Sequence, residues 1–160
     1  MPSVIFLDID GVLVTQFECR HSLRHPDDRA HLFSLAAVDA LNWLIAKSGA
    51  FIVVSSTWRM GMKRVDLQEL LARRGMVGKV LGKTDFLREA DGICEVDRGY
   101  EIAAFQDHRW TDGRYVIIDD DNDMLADQLP YFVQTEFEKG LTMDHARKAL
   151  EILTSRKAVA

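Results

Sequence analysis

Two aspartates one residue apart follow an apolar run near the N-terminus, in the stretch VIFLDIDGVLV over residues 4–14. They form one of three sets whose residue types and spacing could do chemistry. Asp8 and Asp10 come first, then Ser55, Ser56 and Thr57 after FIVV, then Asp119, Asp120, Asp121 and Asp123 after YVII. Each set stands directly behind a short apolar run. If those runs are neighbouring strands, their ends bring carboxylates and hydroxyls to one crevice, where several negative charges repel unless a cation is present. Magnesium is the natural candidate, a hard ion usually held by one or two carboxylates together with a substrate phosphate.

The elements that must position these residues are legible. Residues 4–7 are continuously apolar rather than alternating, which predicts a strand covered on both faces, as in a parallel sheet. Residues 51–54 and 115–118 read the same way, and 131–133 and 79–81 add two weaker strands. Between them Leu35, Val38, Leu41, Leu44 and Ile45 mark one helical face that Gly49 can end, and Leu67, Leu70 and Leu71 mark another that Gly75 can end. Asp97 is expected to cap a third helix through Ile102 and Phe105, and Thr142 a fourth through Ala146, Ala149, Leu150 and Leu153. Strands alternating with helices predict an α/β fold, a doubly wound and mainly parallel sheet with helices on both faces and right-handed crossovers. Ligands of such sheets sit beyond the carboxyl ends of the strands, which is where the aspartates and serines fall.

Composition sets the bounds. A chain of 160 residues, 48% apolar and 28% charged, suits a single domain over residues 1–160 with a sizeable core. The formal charge of -5 argues against a surface that tracks nucleic acid throughout, while leaving room for a local basic lining. Cys19 and Cys94 lie outside any Cys-x-x-Cys spacing and read as reduced thiols. His21, His25 and His31 lie in a segment interrupted by Pro26 with no matching cysteine set, which does not make a zinc site. The first apolar run stops at Asp8, too short for a signal peptide or a membrane span, so a soluble cytoplasmic protein without membrane contact is expected.

DIDGVLV, IVVSSTWR, the basic residue in DRGYEIAAF and VIIDDDND resemble, in order and spacing, the four motifs of the haloacid dehalogenase-like (HAD) phosphohydrolase superfamily. The details SSTWR, RGYEIAAF, YVIIDDD and FVQTEFEKGLT are most similar to the HAD domain of Swiss-army-knife RNA repair proteins. The resemblance spans roughly residues 3–142 and implies a HAD-like Rossmannoid fold and phosphomonoester hydrolysis. It implies that Asp8 is the nucleophile forming an aspartyl-phosphate and that Asp10 is the general acid and then base. Alternate residues of an extended segment share a face, so both can address one phosphate. Gly11 lets the chain turn without obstructing the pocket. Ser55 would bind a phosphate oxygen with help from Ser56, either serine being able to take the leading role. The third-motif cation falls on Arg98, with Lys83 as the alternative. Magnesium would be held by Asp8, the Asp10 carbonyl and Asp120 or Asp119, with Asp123 orienting its water shell.

The gaps bear on substrate. Residues 14–34 read as one polar, histidine-rich loop and residues 59–97 as room for one helix and one strand, so no large cap domain is expected. An open crevice favours a phosphate at a polymer end or on a protein, unless a neighbouring subunit supplies a lid. Arg20, Arg24, Arg29, Arg59, Lys63 and Arg64 would form a basic rim, with Arg59 contacting substrate and Trp58 offering a stacking face to a base. The expected partner is therefore a phosphorylated substrate, with RNA or DNA ends foremost, and the oligomeric state is left open. Two alternatives stand beside it. One is a small-molecule phosphatase or nucleotidase with an oligomer-supplied lid. The other is a non-turnover phosphoacceptor module, although receiver domains place their acceptor on a middle strand, and here the middle strand ends in Ser55.

Overall fold

Continuous apolar runs build a sheet that is buried on both sides. The computed structural model describes residues 2–21, 29–88, 95–109 and 113–155. Arg24, His25 and Cys94 lie outside them, as does the side chain of Arg29. The strands are β1 (Val4–Leu7), β2 (Phe51–Val54), β3 (Val80–Lys83), β4 (Tyr115–Asp119) and β5 (Phe132–Gln134). They lie in the order β3-β2-β1-β4-β5 with every pairing parallel. The helices are α1 (Gln16–His21), α2 (Leu35–Ser48), α3 (Arg64–Arg73), α4 (Arg98–Arg109) and α5 (Met143–Thr154).

Alternation along β1 divides the core in two. Ile5 and Leu7 pack with Leu41 and Leu44 of α2, Leu67 and Leu71 of α3, and Ala146, Ala149 and Leu153 of α5. Val4 and Phe6 face the other way, toward Ile102 and Phe105 of α4. Phe6 meets Phe105 edge to face with centroids 5.7 Å apart, an arrangement that complements the ring quadrupoles. Helices thus cover both faces of the sheet, as the uninterrupted apolar strands require.

Most expected boundaries hold, and the exceptions have local causes. Gly49 ends α2 with a left-handed φ of 64°, its N–H donating to the Ile45 carbonyl. Thr142 caps α5 by accepting the His145 N–H. β3 starts one residue late because the Gln68 side chain accepts the Val80 N–H at 2.7 Å and donates to the Gly78 carbonyl at 3.0 Å. β5 also starts one residue late, since Tyr131 closes the 3-10 turn Leu129–Tyr131. The stretch read as one loop over 14–34 contains α1 and the 3-10 turn Arg29–Leu32. Thr15 starts α1, its hydroxyl accepting the Phe17 N–H at 3.2 Å. Among the described residues, only these elements separate β1 from α2, and only the 3-10 turn Thr57–Arg59 and α3 separate β2 from β3. No described helix is long and apolar enough to cross a membrane.

Candidate active site

The strand order reverses between β1 and β4. The chain leaves β1 toward β2 and β3 on one side, then crosses to β4 and β5 on the other. A parallel sheet opens its ligand crevice at that switch point, beyond the carboxyl ends of the two strands. Leu7 lies opposite Ile118, and the Asp8 N–H donates to the Ile118 carbonyl at 3.0 Å. Asp8 and Asp119 are therefore neighbours by register. Asp8, Asp119 and Asp120 each offer a carboxylate oxygen within 4.8 Å of the others.

Arg98 reaches this set from the first position of α4. Its Nη1 stands 3.6 Å from Asp8 Oδ1 and its Nε 3.9 Å from Asp119 Oδ2. Those separations make ion pairs but not hydrogen bonds. Arg98 Nη1, Asp119 Oδ2, Asp123 Oδ1 and Ser55 Oγ are all buried without a hydrogen-bond partner. Unpaired buried polar atoms are uncommon and mark a place where another group belongs. Here the acceptors are carboxylates that suit a hard divalent cation, while the guanidinium and hydroxyl suit an anion.

The Arg98 position is set by the loop after β4. Asp123 Oδ2 accepts the Arg98 N–H at 2.9 Å and the Asp123 carbonyl accepts the Gly99 N–H at 3.1 Å. A β-carbon on Gly99 would stand 2.6 Å from the Leu125 nitrogen, so glycine permits that docking. Asp123, read from the sequence as orienting water around a cation, thus caps α4, the helix start expected to rely on Asp97. The Asp97 carbonyl accepts the Tyr100 N–H.

Electrostatics agree with the packing. Burial pushes the Asp8 carboxyl up to about 6, although Arg98, the Ser56 hydroxyl and the Ile9 N–H pull it down. Burial pushes Asp119 further, to about 8, with the Asp8 charge adding and Arg98 opposing. Asp120 is raised too, by its burial and then by Asp121. Burial would lower Arg98, but the charges of Asp8, Asp119, Glu101 and Asp123 together outweigh it and hold the guanidinium charged.

The remaining expected residues separate into those at the crevice and those turned away. Asp10 is exposed, and its Oδ2 accepts the Trp58 indole N–H at 2.8 Å. Gly11 turns at φ 71°, and a β-carbon there would lie 2.1 Å from Asp120 Cγ. The two serines divide: the Ser56 hydroxyl accepts the Trp58 backbone N–H and helps pull the Asp8 carboxyl down, while the Ser55 hydroxyl stays unpaired. Arg59 is not on the rim. It is 2% exposed, and its guanidinium donates to Glu101 at 2.5 Å and to the carbonyls of Ser55, Thr84 and Asp85. A planar fork satisfied by several inward acceptors turns inside even though it is charged. Lys83 is likewise occupied, its Nζ donating to the carbonyls of Arg59 and Met62. Of the expected basic rim, Arg20, Lys63 and Arg64 are exposed.

Three contacts were not anticipated. Glu101 pairs with Arg59, Trp58 holds Asp10, and the Thr135 hydroxyl donates to the Gly11 carbonyl at 2.8 Å. Glu101 lies one helical turn beyond Arg98, a spacing visible in the sequence, but nothing there pairs it with a residue 42 positions earlier.

No curated protein and no solved structure matches the chain. The family model for the HAD domain in Swiss Army Knife RNA repair proteins matches residues 4–146, from the first residue of β1 into α5, and so contains every site residue named above. With the parallel sheet and the acidic switch point already in place, this match makes the chain a member of the HAD domain family of Swiss Army Knife RNA repair proteins, whose chemistry is that of phosphatase-type hydrolases.

Proposed function

We propose that the chain is a single-domain, magnesium-dependent phosphomonoesterase that works through an aspartyl-phosphate and acts on the phosphorylated ends of polynucleotides. The observation that carries this reading is the Arg98 guanidinium lying between Asp8 and Asp119, with unpaired buried donors and acceptors around it. An Asp8 oxygen attacks phosphorus, and the bond from phosphorus to the leaving oxygen breaks. Asp10 gives its proton to that oxygen. Water then attacks the phosphorus of the aspartyl-phosphate, Asp10 takes the proton, and the bond to Asp8 breaks to release phosphate. Arg98 balances charge on Asp8 and on the transferring group, and the unpaired Ser55 hydroxyl is available to a phosphate oxygen. Ser56 favours the ionised, nucleophilic form of Asp8. Asp8, the Asp10 carbonyl, Asp119 and Asp120 would hold the magnesium, which when bound offsets the negative charge of carboxylates and phosphate.

The polynucleotide part of the reading is supported by the family description and by the connections on either side of β2, which among the described residues hold only α1, α2, α3 and two 3-10 turns. The inward turn of Arg59 leaves it with a thinner basic rim than the sequence suggested. Phosphate release measured with magnesium over 5′- and 3′-phosphorylated oligonucleotides, free nucleotides, sugar phosphates and phosphopeptides tests both parts. Turnover on oligonucleotide ends, lost in Asp8→Asn and on chelation, is the expected result. Efficient cleavage of sugar phosphates with oligonucleotides untouched removes the polymer substrate. A single phosphorylation without turnover replaces the enzyme by a phosphoacceptor.

A further inference from the structure

We infer that Trp58 is a positioning residue for Asp10: its indole N–H holds Oδ2, so that Oδ1 is the oxygen that carries the transferred proton. This inference rests on the phosphomonoesterase reading. Trp58 Nε1 donates to Asp10 Oδ2 at 2.8 Å, a bond between the loop after β2 and the loop after β1. An indole N–H can only donate. The oxygen it contacts therefore stays an acceptor in both protonation states of Asp10, and the proton belongs on the other oxygen. A serine or histidine in the same place could donate or accept and would leave the two oxygens interchangeable.

The indole is itself held. The Trp58 backbone N–H donates to Ser56 Oγ at 3.3 Å, and the Ser56 hydroxyl favours the charged form of Asp8. One short turn thus serves both carboxylates, bonding Asp10 through Trp58 and favouring the charge on Asp8 through Ser56. The ring leans on the fully buried Phe33, with centroids 5.6 Å apart. Arg59, the next residue, donates to the Ser55 carbonyl and pins the turn to the protein interior. The backbone beside Asp10 is fixed as well, the Gly11 N–H donating to the Val14 carbonyl at 2.8 Å. The Asp10 carboxyl, exposed to solvent, would without the indole sample several rotamers, few of them aligned with a leaving oxygen.

The test compares kcat/KM for two phosphate monoesters, since that ratio reports the steps through departure of the leaving group. p-Nitrophenyl phosphate releases a stable anion and needs little protonation, whereas β-glycerophosphate releases an alcohol that must be protonated. Trp58→Phe keeps an aromatic ring on Phe33 and removes the N–H. It is expected to lower kcat/KM about 10- to 100-fold for β-glycerophosphate and less than about 3-fold for p-nitrophenyl phosphate. Equal losses on the two esters, or none on either, overturn the inference and make Trp58 a packing residue. If Trp58→Phe does not fold, the same comparison is made with benzothienylalanine at position 58, which replaces the N–H by sulfur at nearly constant shape. A wild type that accepts neither small ester is compared with Trp58→Phe on a phosphorylated oligonucleotide, whose leaving alcohol needs the same proton, an unchanged rate there overturning the inference. Failure of the wild type on the esters and the oligonucleotide alike would refute the phosphomonoesterase reading itself.

Discussion

Gly11 and Asp120 compete for the same space. A β-carbon on Gly11 would stand 2.1 Å from Asp120 Cγ and 2.2 Å from its Oδ2, so the absence of a side chain after β1 is what lets the carboxylate after β4 enter the crevice. The left-handed φ of 71° reinforces the requirement, because an L side chain is disfavoured there. Gly11→Ala should therefore lower stability by about 1–3 kcal/mol and displace Asp120 from the acidic set. Titration of a divalent cation against the variant, followed by calorimetry, should show affinity weakened more than the stability change alone explains. Unaltered affinity would mean that Asp120 takes no part in holding the ion.

Arg59 and Glu101 form a buried pair that ties the loop after β2 to α4, the helix that carries Arg98. Arg59→Met would leave Glu101 charged and unpaired in the interior, a change that typically costs about 3–5 kcal/mol. For a chain of this size the melting temperature should fall by roughly 10 °C. Arg59→Lys should recover little, since an ammonium cannot span the Ser55, Thr84 and Glu101 acceptors met by the fork. Thermal unfolding checks this. An unchanged melting temperature with a raised KM would return Arg59 to a role in substrate contact.

Arg98 and Lys83 should part ways on substitution. Arg98→Met removes the cation beside Asp8 and Asp119 and should lower kcat by about 10²–10³, the scale of losing one charge-stabilising donor. Arg98→Lys should restore part of that rate. Lys83→Met removes hydrogen bonds to the Arg59 and Met62 carbonyls and should cost about 1–3 kcal/mol of stability while leaving kcat within a few-fold. Steady-state kinetics with thermal unfolding on the three variants checks the assignment, and a larger kcat loss in Lys83→Met than in Arg98→Met would reverse it.

The strands and the acidic strand ends were legible because they obey local rules. An uninterrupted apolar run means a strand buried on both faces, and in a doubly wound sheet the next residue points to the ligand crevice. Asp8, Ser55 and Asp119 follow from those two rules alone. Arg59 was misread because Ser55, Ser56 and Thr57 just before it are polar and look like a rim. Its true partners, Glu101 and the Thr84 carbonyl, come from other elements, and no spacing rule reaches them. Trp58 shows the same limit. Its sequence context offers an aromatic near a phosphate loop, whereas the bond to Asp10 depends on how two loops after different strands meet. The α1 helix was overlooked because its start signal, Thr15, borders a segment that otherwise reads as loop.

The buried carboxylates should make metal-free stability depend on pH in a distinctive direction. Asp119 is raised from 3.8 to about 8 and Asp8 from 3.8 to about 6. Both therefore bind protons more tightly when folded than when unfolded. Between pH 4 and 8 the native state holds the extra protons, so stability falls as pH rises through that window, with Asp8 contributing up to about 6 and Asp119 up to about 8. Melting in chelator should accordingly worsen from pH 5 to pH 8. A divalent cation replaces the protons and should add about 3 kcal/mol at pH 8 at a hundredfold excess over its Kd there, and less at pH 5. Asp119→Asn removes the dominant titrating charge, so the metal-free variant should melt higher than wild type at pH 8 and respond less to the cation. A wild-type melting temperature that is flat across this range in chelator would show that Asp8 and Asp119 do not share one buried site.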